Sequence, residues 1–265
     1  LQHISPTLSI AAIVWLLLMI AVPIQRWIWG DTALPISLSF SVIAQVITVG
    51  VIVSQFWGVR RTLIVFAVAA ALGWLIEYMG HTTGFPFGAY HYTRLLQPQI
   101  GGVPVLIPFA WLMMMPLAWA VASCVVRDRR GLGGAVRFIG VSALAFTAWD
   151  LFLDPQMVSW GVWAWDEPGA ANYFGIPWVN YAGWLLASGV ITAAMLALQA
   201  LLRSERGIPH AGIVPLLVMY ALTWLLQTGG LLFFWGLPGP AVIGFAGMGA
   251  MLAWAVWHFR RTPHG

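Results

Sequence analysis

The chain has 265 residues, 61% hydrophobic and 8% charged, with a mean hydropathy of +0.87, which excludes an ordinary soluble globular domain. Its net charge of +4 comes from twelve Arg and no Lys, and these sit in short loops between apolar runs rather than in a patch that would bind nucleic acid. The missing Lys excludes Schiff-base chemistry, and the lone Cys124 excludes an internal disulfide or a Cys-rich metal site.

Repeated apolar stretches predict a helical bundle crossing the membrane about eight times, because a hydrocarbon core of about 30 Å needs about 20 helical residues. The alternation of a transmembrane barrel is absent. The first span, near 8–29, is too long for the apolar part of a signal peptide and ends in aromatic residues, so it is expected to be a retained helix. The second lies near 36–57. The third, near 62–79, carries Glu77 close to its end, and the fourth, near 103–126, carries Trp111. The fifth, near 136–154, ends in "WDLFLDP" with Trp149, Asp150 and Asp154; the sixth, near 178–202, opens with Asn180, Tyr181 and Trp184. The seventh, near 211–234, holds Gln227, and "FFWGLPGP" turns the chain into the eighth, near 238–258. Pro23, Pro108, Pro116 and Pro215 fall inside spans, where neighbouring helices can satisfy the freed carbonyls. With no repeat and no boundary, residues 1–265 read as a single transmembrane helical domain.

Arg60 and Arg61 follow the second span; Arg127, Arg129, Arg130 and Arg137 the fourth; Arg203 and Arg206 the sixth; Arg260 and Arg261 the eighth. Ten of the twelve thus share one side, opposite Arg26 and Arg94, which an odd number of spans would break. The positive-inside rule makes that side cytoplasmic, with both termini there, in a multi-pass cell-membrane protein. Glu77, Asp150 and Asp154 then form a polar layer near the outer face, joined by Asn180 and Gln227.

Ionisable groups at such depth cost several kcal/mol unless paired or hydrated, so the layer is the candidate site. Asp150 and Asp154 are four apart and share a helix face, with Cβ atoms about 6 Å apart; Pro155 is expected to end that helix at Asp154. Glu77 and His81 are also four apart, although Gly80 interrupts the pattern. Crowded carboxylates in a dry site cannot all ionise cheaply, and a protonated acid beside an ionised one suits general acid–base chemistry. The loops "GHTTGFPFGAYHYT" and "WAWDEPGAANYFGIPWVNYAG" are long enough, at about 23 residues each, to cover the layer as lids. Many of the 17 Trp are interface anchors, but Trp111 and Trp149 lie within spans, where an aromatic face can stabilise a cation.

Haem held by paired His is not supported, since His210 and His258 lie at the cytoplasmic edge, far from His81 and His91. Zinc on His81, His91 and a carboxylate lacks any HExxH-like spacing. "DLFLD" could hold Mg²⁺ on a diphosphate, as in intramembrane prenyltransferases of the UbiA type. No second Asp cluster accompanies it, however, and Arg94 is the only basic residue near the layer on that side.

Four blocks in order, "EYMGHTTGFPFGAYHYT", "GGVPVLIPFAWLMM", "AWDLFLDPQMV" and "YFGIPWVNYAGW", resemble the membrane carotenoid biosynthesis family of CruF-type hydratases, which includes the bisanhydrobacterioruberin hydratases. They cover roughly residues 74 to 185; the first two and last two spans resemble the family only in hydrophobicity. The resemblance implies addition of water to a terminal isoprenoid double bond of an acyclic or monocyclic carotenoid, without a cofactor. Its partners would be a lycopene-like or bisanhydrobacterioruberin-like polyene, water and membrane lipid. Protonation gives a tertiary carbocation and water attack a tertiary alcohol. Asp150 is the expected proton donor, tuned by Asp154 and Glu77, one of which receives the water proton, with His81 orienting a carboxylate or the water. Trp111, Trp149, Phe85, Phe87, Tyr90, His91, Tyr92, Asn180, Tyr181 and Trp184 are expected around the substrate. The alternatives are a prenyltransferase acting on carotenoids and a carotenoid-binding or transport protein without chemistry.

Overall fold

The computed structural model describes residues 6–202 and 207–261, so Arg203 and Arg206 of the charge count lie outside the described residues. Eight helices follow one another: α1 (Pro6–Trp29), α2 (Leu34–Trp57), α3 (Val59–Thr83), α4 (Leu106–Val125), α5 (Gly131–Ser159), α6 (Trp178–Leu201), α7 (His210–Phe233) and α8 (Pro238–Arg260). Each is long and apolar enough to cross a membrane. The connections after α1, α3, α5 and α7 gather at one end of the bundle, and those after α2, α4 and α6 at the other. The second end carries the described arginines apart from Arg26 and Arg94.

The core is built on α4, which packs against α2, α3, α5, α7 and α8. Met114, Met115, Leu117 and Trp119 on it are fully enclosed. Ala118, Ala120 and Ala122 of the same helix let neighbours approach closely, the packing that holds helices together where lipid removes the hydrophobic drive. Polar groups inside the bundle bond from helix to helix. The Trp119 indole donates to Thr192 Oγ1 at 3.1 Å, the Tyr220 hydroxyl to the Ala145 carbonyl at 3.0 Å, and the Trp15 indole to Gln45 Oε1 at 3.1 Å. α1 packs chiefly on α2 and leaves most of its surface exposed.

Several helix ends differ from the sequence expectation, among them the starts of α3, at Val59 rather than near 62, and of α5, at Gly131 rather than near 136. α5 does not stop at Asp154 but runs through Pro155 to Ser159. Proline at 155 deprives the Leu151 carbonyl of its partner four residues on, and the Tyr173 hydroxyl donates to that carbonyl at 3.0 Å instead. α3 continues past Gly80 to Thr83 because glycine there admits the following loop: a Cβ at 80 would stand 2.6 Å from the Phe87 ring and 3.1 Å from the Tyr90 hydroxyl. α4 begins only at Leu106, since Val103–Pro104 forms a strand.

That strand, β3, pairs with β2 (Gln99–Ile100). β1 (Tyr90–Tyr92) pairs antiparallel with β4 (Trp163–Trp165), with Tyr90 opposite Trp165, His91 opposite Ala164 and Tyr92 opposite Trp163. β5 (Asn172–Tyr173) and β6 (Ile176–Pro177) form a third hairpin before α6. The two long loops therefore knit into one cover, tightened by the Trp165 indole donating to the Phe87 carbonyl at 2.9 Å.

Candidate active site

Three carboxylates are buried beneath this cover: Glu77 on α3, and Asp150 and Asp154 on α5. Glu77 accepts from three donors. The Trp111 indole reaches Oε1 at 3.1 Å, and the hydroxyls of Tyr90 and Tyr92 each reach Oε2 at 2.7 Å. A strand sends alternate side chains to opposite faces, so Tyr90 and Tyr92 turn inward to Glu77 while His91 between them turns out. His91 Nδ1 lies 2.7 Å from Asp166 Oδ1 on the exposed side. Burial first, and the Glu77 carboxylate second, raise both tyrosine hydroxyls well above the ordinary range.

Asp150 and Asp154 share one amide. Asn180 Nδ2 donates to Asp150 Oδ2 at 3.2 Å and to Asp154 Oδ2 at 2.5 Å, using the two hydrogens that such a nitrogen carries. The Trp163 indole donates to Asp154 Oδ1 at 3.1 Å, whereas Asp150 Oδ1 is buried without a partner. None of these partners of the three carboxylates is cationic.

Glu77, Asp154 and Asn180 line a cavity of about 330 Å³. Asp150 is enclosed behind them and is not part of the wall. The rest of the lining is mostly apolar and strongly aromatic, with Trp111, Trp149, Trp184, Trp163, Trp165 and Phe87 at the carboxylate end, but Ser41, Gln45, Gln156, Thr223 and Gln227 also face the cavity. Trp111 stacks on Trp184 with ring centroids 4.9 Å apart and planes 12° apart, and on Phe146 at 4.8 Å. Trp149 stands edge-on to Trp184 at 6.4 Å, its buried indole nitrogen unpartnered. Phe87 is wedged between α3 and α6: a Cβ on Gly183 would lie 2.6 Å from the Pro86 carbonyl oxygen, as one on Gly80 would meet Phe87 itself.

Of the residues expected around the site, Trp111, Trp149, Phe87, Tyr90, Tyr92, Asn180 and Trp184 share this cavity wall with Glu77 and Asp154. Tyr181 is buried next to Tyr173, at a ring separation of 5.4 Å, with its hydroxyl unpartnered, and is not part of the wall. His81 packs at ring distances of 6.4 Å from Tyr90 and 6.0 Å from Tyr92; its Nδ1 is buried with no hydrogen-bond partner. Phe85 is exposed and His91 lies at the surface. Among the described residues no group of three or more His, Cys, Asp or Glu is placed to hold a metal ion. Trp163, absent from the residues expected around the substrate, is a direct partner of Asp154. Its alternation with Trp165 in "WAW" was the available signal.

The family described as carotenoid biosynthesis protein matches residues 38–251. The match thus extends beyond the quoted blocks to α2, α7 and most of α8, which were expected to agree in hydrophobicity alone. Bisanhydrobacterioruberin hydratase of Haloarcula japonica is 29% identical over 203 residues, covering 74% of this chain and 64% of that protein. The chain therefore spans less than two thirds of that relative's length. No solved structure matches.

Proposed function

The chain belongs to the carotenoid biosynthesis protein family, and from that premise we propose that it adds water to the terminal trisubstituted C=C of an acyclic or monocyclic carotenoid. The reaction joins a proton to the less substituted carbon and hydroxide, drawn from water, to the tertiary carbon. Nothing is oxidised or reduced overall, and the reading requires no cofactor. The observation that carries it is the unlike bonding of two carboxyl groups, Asp154 and Glu77, on the wall of one aromatic cavity.

Asp154 is the acid. It faces the cavity and shares the Asn180 amide with Asp150, so two carboxyl groups occupy a dry site without a cation among their partners. Such a pair holds one proton more cheaply than two charges, and Asp154 passes that proton to the alkene. Asp150, the donor expected from sequence, becomes the group that keeps Asp154 supplied and oriented. Glu77 is the counter-charge. Its three donors supply the hydrogen bonds that a buried carboxylate needs when ionised. In that form it offsets the tertiary cation and accepts the proton of the attacking water, which returns to the Asp150–Asp154 pair before the next turnover. The Trp111, Trp184 and Trp149 rings shield the cation from elimination and stray water. His81 acts from behind Tyr90 and Tyr92.

Substrates of the lycopene or bisanhydrobacterioruberin kind fit this reading, the latter being the compound named for the Haloarcula relative. The arginine-rich end lies in the cytoplasm and the cavity near the outer face of the cell membrane. The test is incubation of purified protein with such a polyene in ¹⁸O-water, without nucleotide or reductant. A labelled tertiary alcohol is expected; a polyene recovered unchanged, with the protein folded and the pigment bound, would refute the hydratase reading.

A further inference from the structure

The residues lining the cavity are buried or half-buried with five exceptions, and these five lie together. Ile20 and Ile24 are on α1, Leu225 and Phe233 on α7, and Phe234 follows α7 directly. A side chain that both lines a cavity and meets the outside marks its mouth, so the cavity opens between α1 and α7. All five are apolar. Ile20 precedes the end of α1 by nine residues, which is roughly 14 Å along a helix and within the hydrocarbon layer.

The aqueous end of the same seam is closed. The Arg26 guanidinium lies 5.0 Å from the centre of the Trp235 ring and its Nε donates to Asp31 Oδ1 at 2.5 Å, tying the end of α1 to the turn after α7. Trp235 in turn meets the Trp160 ring at 4.7 Å. Below this clasp α7 presents Gly229 and Gly230 to the cavity, and a Cβ built on Gly229 would meet nothing within 4 Å. The opening is thus shut towards water, open towards lipid, and widened by an absent side chain.

We propose that the seam between α1 and α7 is a lateral portal through which one end of a long linear polyene, dissolved in the bilayer, reaches the carboxylates while its remainder stays in the seam and the lipid. The choice of a polyene rests on the hydratase reading; the portal itself rests on the exposed lining residues and the clasp. Access from lipid also suits an acid site that must exclude bulk water, because substrate exchange then never requires the strand cover to open.

The test reads binding and chemistry separately. Wild type, Gly229→Trp and Ile24→Trp, which fill the mouth from opposite sides, and Gly140→Trp, an exposed α5 glycine remote from the mouth, are reconstituted in vesicles containing an acyclic carotenoid. Pigment retained per protein is measured by absorbance after purification, and hydration in ¹⁸O-water. Wild type and Gly140→Trp should retain pigment, and both mouth variants should lose retention on the order of tenfold, since an indole occupies the space of the substrate. Wild-type retention in the two folded mouth variants overturns the portal, as does wild type that retains no pigment or an equal loss in Gly140→Trp. If wild type retains pigment and the mouth variants do not, but no labelled alcohol forms, the portal stands and the hydratase reading fails.

Discussion

Replacing Glu77 by Gln separates the charge of this residue from its place in the packing. Oε1 faces an indole that can only donate, so the amide oxygen must take that position against Trp111. The amide nitrogen then occupies the Oε2 position, where the hydroxyls of Tyr90 and Tyr92 can rotate to accept instead of donate. Every buried partner keeps a hydrogen bond, and a buried charge is removed, so folding stability should change by no more than about 1 kcal/mol. Glu77→Leu differs, because it strands the indole and both hydroxyls at about 1–3 kcal/mol for each group left unsatisfied. Chemistry should respond in the opposite order to stability. A counter-charge about 4 Å from a cation contributes about 4 kcal/mol at an effective dielectric near 20, so Glu77→Gln should lose on the order of a thousandfold in turnover. The measurements are single-turnover hydration in ¹⁸O-water, pigment retention, and thermal unfolding in the same detergent. If Glu77→Gln binds the polyene and hydrates it within about threefold of wild type, below the range of any positioned acid or base, Glu77 carries no catalytic charge.

Asp154→Asn should cut hydration by about 10²–10⁴-fold with pigment still bound, and Asp150→Asn should cut it less, because Asp150 is not on the cavity wall; equal rates in Asp150→Asn and the wild type would remove it from the proton path. Tyr92→Phe and Trp163→Phe should show a coupling energy of about 0.5–3 kcal/mol in a double-mutant cycle of stability, as expected for residues in contact, and strict additivity would break the link between them. Chelators should leave hydration unchanged, whereas a prenyltransferase acting through the Asp150–Asp154 pair would lose Mg²⁺ and stop. Because the tyrosine hydroxyls at 90 and 92 are raised in the folded protein, their contribution is intact below the unfolded value of about 10 and is lost as pH rises above it. Unfolding temperature should therefore fall above pH about 10, and less steeply in Tyr92→Phe.

Much of the bundle was legible because span length is a one-dimensional property: each predicted helix overlaps an observed one, and α6 begins at Trp178 as expected. Two of the misplaced ends were decided by residues of the cover that pack back onto the helix. Pro155 reads locally as a stop, yet Tyr173 supplies the missing donor from a hairpin. Gly80 reads as a break, yet it is a seat for Phe87 and Tyr90. The three acids could be found by depth alone, but their ranking could not. Nothing in "WDLFLDP" distinguishes Asp154, on the cavity wall, from Asp150, behind it, without knowing that Asn180 lies across from both.

The strand cover explains how a site split over separate helices keeps its geometry. Tyr92 and Trp163 are cross-strand partners in β1 and β4. One donates to Glu77 and the other to Asp154. A single rung of the ladder therefore links the proposed base on α3 to the proposed acid on α5. Register makes this arrangement strict, because a slip by one residue would turn His91 inward and both tyrosines out. Two hydroxyl donors would then be replaced at Glu77 by an imidazole. Tyr90 and Tyr92 of "AYHY" and Trp163 of "WAW" thus have one task between them. They bring donors to two carboxylates from above, so that the helices below need supply only Trp111 and Asn180.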